Sequence, residues 1–157
     1  MTIRMATPND IDTLVNLRFD YFAAEQWEVS PAQREAIEAS LRAYYTEQLN
    51  RNFFAALVED GGEIVSTAFL AVFVRPANMA FPTGKIGTVM NVLTYPAHRR
   101  KGYAAAAVRA LIDIAREQNL SYIELLSSAA GRPLYQKLGF VETARDEHLT
   151  EMKFMLV

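Results

Sequence analysis

The sequence contains no cysteine and only two histidines, His98 and His148. The first absence excludes disulfides, thiolate metal sites and a cysteine nucleophile. The second leaves any zinc site dependent on carboxylates, with no HxxxH pair to start it, so no metal is expected. A surplus of positive charge is also missing: 16 Lys and Arg stand against 18 Asp and Glu, a net charge of −2. Whole-surface attraction to nucleic acid or to an anionic membrane is therefore not expected. No run reaches the ~18 apolar residues of a membrane helix. Residues 1–6 lack the basic region and long apolar run of a signal peptide. Repeats, low-complexity tracts and interdomain linkers are absent too. These absences lead us to expect a single domain, 1–157, in the cytoplasm. Any polyanion it binds must be held by a local device.

What is present has the rhythm of a mixed α/β chain. Residues 2–5 read as a short strand. Thr7-Pro8-Asn9-Asp10 reads as a helix start, with Thr7 or Asn9 as the cap. Ile11, Leu14, Val15, Leu17, Phe19 and Phe22 recur at three- and four-residue spacing, which predicts a helix to about Ala24. Ser30-Pro31 opens a second helix, with Ile37, Leu41, Tyr44, Tyr45 and Leu49 on its apolar stripe. A strand over 53–59, a turn at Asp60-Gly61-Gly62 and a strand over 63–74 predict a hairpin. The second of these strands is nearly all apolar and hence central. A loop over 75–84 leads to a β-branched strand over 85–94.

A long helix follows to about Gln118, with a predicted stripe of Ala104, Val108, Leu111, Ile112 and Ala115; Asn119 ends it. A strand over 122–126, a short helix over 134–138 closed by Gly139, and strands over 140–144 and 152–157 complete the reading. The fold class expected is α/β: a mixed, mostly antiparallel central sheet with helices on both faces.

The most informative stretch runs from Asn91 to Ala106. A strand ends, a tight basic turn follows, and an alanine-rich helix begins. A helix N-terminus presents unpaired N–H groups and the positive end of the macrodipole. A glycine and small residues there let a phosphate approach the backbone. Gly102 and Ala104 keep that approach open, and Arg99, Arg100 and Lys101 add local charge. The stretch is neither a Walker loop nor a GxGxxG fingerprint. On spacing alone, a solvated basic turn capping a core helix is an equal alternative.

Arg99-Arg100-Lys101-Gly102-Tyr103-Ala104 resembles the Arg/Gln-x-x-Gly-x-Gly/Ala motif of the GCN5-related N-acetyltransferase superfamily, with Pro96 in the usual lead-in. Leu134-Tyr135-Gln136-Lys137-Leu138-Gly139-Phe140 resembles its Leu-Tyr-x-Lys-Leu-Gly-Phe signature, about thirty residues downstream. Ile3-Arg4-Met5-Ala6 with Asp10 is similar to the family's opening strand and helix.

The resemblance implies acetyl-coenzyme A as cosubstrate. The backbone of Arg100, Lys101, Gly102, Tyr103, Ala104 and Ala105, led by Arg99, would wrap the pyrophosphate. Val92, Leu93 and Thr94 would pair with the pantetheine arm in the manner of an added strand. A bulge in that strand would splay it from the next. A backbone N–H near Leu93 would receive the oxyanion. Tyr135 would be the general acid, a phenol still protonated at neutral pH. Ser128 stands where relatives often carry a coenzyme-touching asparagine, a departure that puts that contact in question.

The resemblance implies an N-acetyltransferase acting on a primary amine of a small molecule or peptide. A non-catalytic acyl-coenzyme A sensor on the same fold is the alternative. The general base is not legible: Glu25, Glu28, Asn91, Glu151 and His148 are polar candidates, each as readily a solvated group. Tyr21, Phe22, Trp27, Tyr44 and Tyr45 line an acceptor pocket, cover a cationic amine, or serve as core or as the face of a homodimer.

Overall fold

The computed structural model describes residues 1–144 and 146–157. They form two compact units, Met1–Leu126 and Ser127–Val157.

The first unit is built on a five-stranded sheet in the order β1-β2-β3-β4-β5. The strands are β1 (Thr2–Met5), β2 (Phe53–Asp60), β3 (Glu63–Val74), β4 (Lys85–Thr94) and β5 (Tyr122–Glu124). The first four pair antiparallel and β4 pairs β5 in parallel. The nearly continuous apolar strand β3 is central, as its composition predicts. Helices α1 (Ile11–Ala24) and α2 (Pro31–Gln48) precede the β2–β3 hairpin, and α3 (Tyr103–Glu117) supplies the right length of chain for the parallel crossover to β5.

Alternation along β2 and β3 divides the core. Phe53, Ala55, Leu57, Phe69 and Ala71 pack with Leu14, Val15, Leu17, Phe19 and Tyr45 of α1 and α2. Phe54, Ala56, Val58, Ala68 and Leu70 are equally buried but point to the other face, where α3 packs against β2 and β3. Helices therefore cover both faces of a mostly antiparallel sheet. Gly61 and Gly62, at φ 62° and 84°, form the tight hairpin turn that only residues tolerant of positive φ make without strain.

The ends of the helices are legible in residue type. Ser30 caps α2, its hydroxyl accepting the Gln33 N–H at 3.2 Å while the Gln33 side chain accepts the Ser30 N–H at 2.9 Å. Asn119, at φ 57°, stops α3, with the Asn119 and Leu120 N–H groups bonded back to Arg116 and Ala115. Arg4 ties the start of the chain together. Its guanidinium grips Asp10 at 2.8 and 2.9 Å and Glu59 at 2.7 Å. The guanidinium, with the Thr7 N–H, holds the Asp10 carboxyl down to about 2.

Three details depart from the sequence pattern. The buried stripe of α3 is Tyr103, Ala107, Val108, Leu111 and Ala115, turned away from the predicted Ala104 and Ile112. Tyr103 causes the turn: its ring is buried and its hydroxyl donates to Asp60 at 2.5 Å, which presses that side of the first turn onto the β2–β3 hairpin. Strand β5 stops at Glu124 rather than Leu126. Finally, residues 140–144 and 152–157 are not strands. Their β-branched and aromatic pattern fits a pleated surface, but a strand exists only where a neighbour completes its ladder, and among the described residues none does.

The second unit holds α4 (Arg132–Lys137). Gly139, at φ 98°, closes it: the Gly139 N–H bonds to Gln136 and the Phe140 N–H to Tyr135, the paired pattern of a glycine stop. Among the described residues, no helix is long and apolar enough to cross a membrane.

Candidate active site

The site is built where β4 outlives its partner. β5 pairs with β4 only at Ile86, Gly87 and Thr88. From Val89 to Thr94, among the described residues, β4 pairs with β3 alone. Within that stretch the register slips: Met90 opposes Phe69 and Leu93 opposes Thr67. Asn91 and Val92 thus share the single place opposite Ala68, a bulge, with Asn91 in the left-handed region at φ 54°. This is the bulge that the family resemblance implied. Asparagine is the signal in the sequence, because it is poor in strands and tolerant of positive φ.

Hydrogen bonds orient the strand after the bulge. The Tyr95 N–H donates to Val65 at 3.1 Å and the Leu93 carbonyl accepts the Ser66 hydroxyl at 2.8 Å. Both groups face β3. Since the C=O and N–H of a trans peptide point opposite ways, the Thr94 N–H and the carbonyls of Val92 and Thr94 face the edge that β5 has left. Arg99 confirms the direction, its Nε donating to the Thr94 carbonyl at 3.3 Å. Of the three strand residues expected to meet the coenzyme, Leu93 turns its polar atoms inward, and Val92 and Thr94 present theirs.

The same segment leads into the helix start. A short 3-10 turn over Pro96–His98 delivers Arg99 in extended conformation, Arg100 at φ 66°, and Gly102 at φ 82° as the residue before α3. No side chain caps this helix. The first intrahelical bond runs from the Ala106 N–H to the Gly102 carbonyl at 3.0 Å, so the N–H groups of Tyr103, Ala104 and Ala105 have no helical acceptor. Arg99, Arg100 and Lys101 are exposed around them, and Ala104 and Ala105 stay half-exposed. A methyl added at Gly102 would meet nothing within 4 Å. Glycine is there for its backbone conformation, and the space beside it is open. An uncapped, cation-rimmed helix start next to an open strand edge can hold an anion and an amide-bearing arm in continuous succession.

Beyond the bulge lies a second cluster, of which the sequence singled out Asn91, Tyr21 and Phe22 but not Arg18, Asp20 or Tyr95. Asn91 is 1% exposed; its Nδ2 donates to the Leu17 carbonyl at 3.3 Å and its Oδ1 accepts from Arg18 Nη1 at 3.3 Å. The bulge is thereby anchored on α1. The Arg18 guanidinium lies 4.7 Å from the centre of the Phe22 ring and 6.0 Å from that of Tyr21. The Tyr95 hydroxyl donates to Asp20 at 2.5 Å, and burial, with that bond, pushes the phenol above its ordinary range.

The aromatic stretch divides. Tyr45 belongs to the core with Phe53 and Phe69, its phenol pushed up to about 12 by burial. Tyr44 packs on Tyr45 and Phe53. Tyr21, Phe22 and Trp27 gather at the end of α1. Gln26, at φ 58°, turns the chain there, and Trp27 folds back on Phe22 and Tyr21 with ring centres 5.6 and 5.9 Å apart. Trp27 remains 53% exposed, and Glu25 and Glu28 are exposed beside it.

In the second unit, Tyr135 lies on α4 with its ring edge-to-face on Phe140 at 5.9 Å. The Ser128 hydroxyl accepts the Gly131 N–H at 3.1 Å, shaping the entry to α4. Glu151 pairs with Lys153 at 3.3 Å. The His148 N–H bonds to Asp146; the sequence places His148 in a loop over 145–150, of which Arg145 lies outside the described residues. Among the described residues, no group of three or more metal-ligating side chains occurs.

Comparisons with known proteins bear on the family and the fold. Residues 12–140 match the model of the acetyltransferase (GNAT) family. A predicted acetyltransferase from Clostridium acetobutylicum, solved with acetyl-CoA, shares 29% identity at a TM-score of 0.82, over 97% of this chain and 95% of that one. A GCN5-related N-acetyltransferase from Ralstonia eutropha has 21% identity and a TM-score of 0.76, over 99% and 97% of the two chains. A transcriptional regulator from Bacillus halodurans has 22% identity and a TM-score of 0.71, over 98% and 99%; at such identities only the fold is shared. No curated protein matches. With a family model across most of its length and the uncapped helix start and splayed strand in place, the chain belongs to the acetyltransferase (GNAT) family of acyltransferases.

Proposed function

We propose that this protein, acting as one domain over residues 1–157, is an N-acetyltransferase that moves the acetyl group of acetyl-coenzyme A directly to a primary amine. The observation that carries the reading is the open edge of β4 running into the uncapped start of α3. The diphosphate takes the free N–H groups of Tyr103, Ala104 and Ala105, with Arg99, Arg100 and Lys101 at the rim and Gly102 supplying the turn. The pantetheine amides add to β4 as a short strand, using the Val92 carbonyl and the Thr94 N–H. Ser128 keeps a hydroxyl for the coenzyme as a secondary contact.

The chemistry needs no covalent enzyme intermediate. The neutral amine attacks the acetyl carbon, and the carbonyl oxygen becomes an oxyanion facing a backbone N–H of the bulged strand. Collapse breaks the C–S bond. The thiolate takes a proton from the Tyr135 phenol, the ammonium proton leaves to water through a nearby base, and the phenolate recovers a proton from solvent. The Tyr135 assignment rests on the motif of residues 134–140. Positioning two substrates on one rigid sheet supplies much of the acceleration, on the order of 7 kcal/mol or more where the reacting atoms are well aligned. A cytoplasmic location and a metal-free reaction belong to the same proposal.

The test is thiol release from acetyl-coenzyme A with a panel of amines, comparing wild type with Tyr135→Phe. Turnover by the wild type, with kcat about 100-fold or more lower in the variant at unchanged coenzyme affinity, supports the reading. Tight coenzyme binding with no turnover of any amine would favour an acyl-coenzyme A sensor instead.

A further inference from the structure

We infer that the acceptor amine carries a carboxylate close by, and that Arg18 is the seat of that carboxylate. The inference rests on the acetyl-transfer reading above and names its substrate class. Arg18 is half-buried on the inner side of α1. Among the described residues it makes no ion pair, whereas Arg4, Arg42, Arg116 and Arg132 each find a carboxylate. Its neighbours explain why it is left over. Asp20, two residues on, receives the Tyr95 hydroxyl. Glu25 is exposed at the end of the helix. Among the described residues, the only polar side-chain contact of the guanidinium is the neutral Asn91 Oδ1, at 3.3 Å, and the Phe22 ring covers its face.

A partly desolvated cation with a neutral partner is costly unless an anion arrives to complete it. A guanidinium has five donors in a planar fork, suited to a carboxylate held by two parallel bonds, and one bond to Asn91 leaves most of that fork unused. The place is as telling as the charge. Asn91 is the residue of the bulge, and Val92, next in the chain, offers the first carbonyl of the open edge. A ligand group on Arg18 therefore lies beside Asn91, one residue before the stretch of β4 proposed to hold the thioester arm.

A second cation reinforces the sign. Arg34 of α2 stands 4.0 Å from the centre of the Phe19 ring, also without an ion pair among the described residues, and Phe19 meets Phe22 edge-to-face at 5.7 Å. Of the rings gathered at the end of α1, Phe22 and Tyr21 already lie against the Arg18 guanidinium. A polyamine would meet like charge here, while an amino carboxylate would meet a complement.

Matched acceptors decide the matter: several amino acids, each beside its own carboxamide, assayed by thiol release from acetyl-coenzyme A. The wild type should use the carboxylate member at least tenfold better in kcat/KM, mostly through KM. Arg18→Gln should bring the ratio close to one, and Arg18→Lys should keep part of it, since charge survives without the fork. Calorimetry with acetyl-coenzyme A checks that each variant still folds and binds the donor. Equal use of both members by the wild type overturns the inference. So does an Arg18→Gln variant that loses both alike, because Arg18 would then serve only to hold Asn91. Should no amine release thiol, the acetyl-transfer reading fails separately. The same pairs titrated onto the coenzyme A-saturated protein still read the anion seat: carboxylate binding that weakens in Arg18→Gln upholds it, and equal binding of both members overturns it.

Discussion

Substituting Gly102 separates backbone strain from charge at the proposed diphosphate seat. Gly102 holds φ 82°, so any other residue there costs about 1–2 kcal/mol in backbone strain. A Cβ would find open space, so no steric cost adds to this. Gly102→Ala should therefore lower the melting temperature by a few degrees and weaken acetyl-coenzyme A only mildly. Gly102→Gln adds bulk without charge. Gly102→Glu adds a carboxylate at the position whose side chain can reach the free N–H groups of the first turn. One unit of phosphate charge at roughly 5 Å, with an effective dielectric of ~20, repels that carboxylate by about 3 kcal/mol. The Kd of Gly102→Glu should thus exceed that of Gly102→Gln by about two orders of magnitude. The gap should narrow at high salt, because the seat is exposed and the interaction screened. Calorimetric titration of the three variants at low and high salt reads all of this. The reasoning is refuted if Gly102→Glu binds within about threefold of Gly102→Gln while melting like Gly102→Ala.

Other outcomes follow from features away from that seat. Gln26 pays for a left-handed turn that glycine makes freely, so Gln26→Gly should stabilise by about 0.5–1 kcal/mol in thermal or urea unfolding. Asp10 is held at about 2, below its ordinary 3.8. A lowered carboxyl stabilises above its unfolded pKa and loses that contribution as pH falls through the folded one. Wild type should therefore exceed Asp10→Asn by on the order of 1–2 kcal/mol at neutral pH, less than the shift alone implies because Arg4 is partly exposed, and the gap should close between pH 4 and pH 2. A Cβ on Gly87 would lie 2.7 Å from Leu70, 3.0 Å from Leu120 and 3.1 Å from Ile123, where β4 and β5 pair. Gly87→Val should destabilise by about 1–3 kcal/mol through overpacking, seen as a lower urea midpoint with unchanged slope.

Residue type and period alone determined the local elements: the glycine pair of the hairpin, Ser30-Pro31 before α2, Asn119 and Gly139 after their helices, and the apolar run that makes β3 central. Each of these is a short-range preference, a φ value or a cap, so the chain states it locally. The spacing of Arg99, Gly102 and Ala104 before an alanine-rich helix likewise marked the uncapped start of α3. Tertiary structure decided what depends on partners. The early end of β5, which frees the β4 edge, follows from where the two strands diverge. The inward turn of Leu93 follows from hydrogen bonds to Ser66 and across to Val65. Arg18 read as one more charge on an amphipathic helix, and only folding set it against Asn91 with no ion pair among the described residues. The pattern over 140–144 and 152–157 suggested strands, but pattern describes a surface that could pair, and pairing itself is a property of two segments.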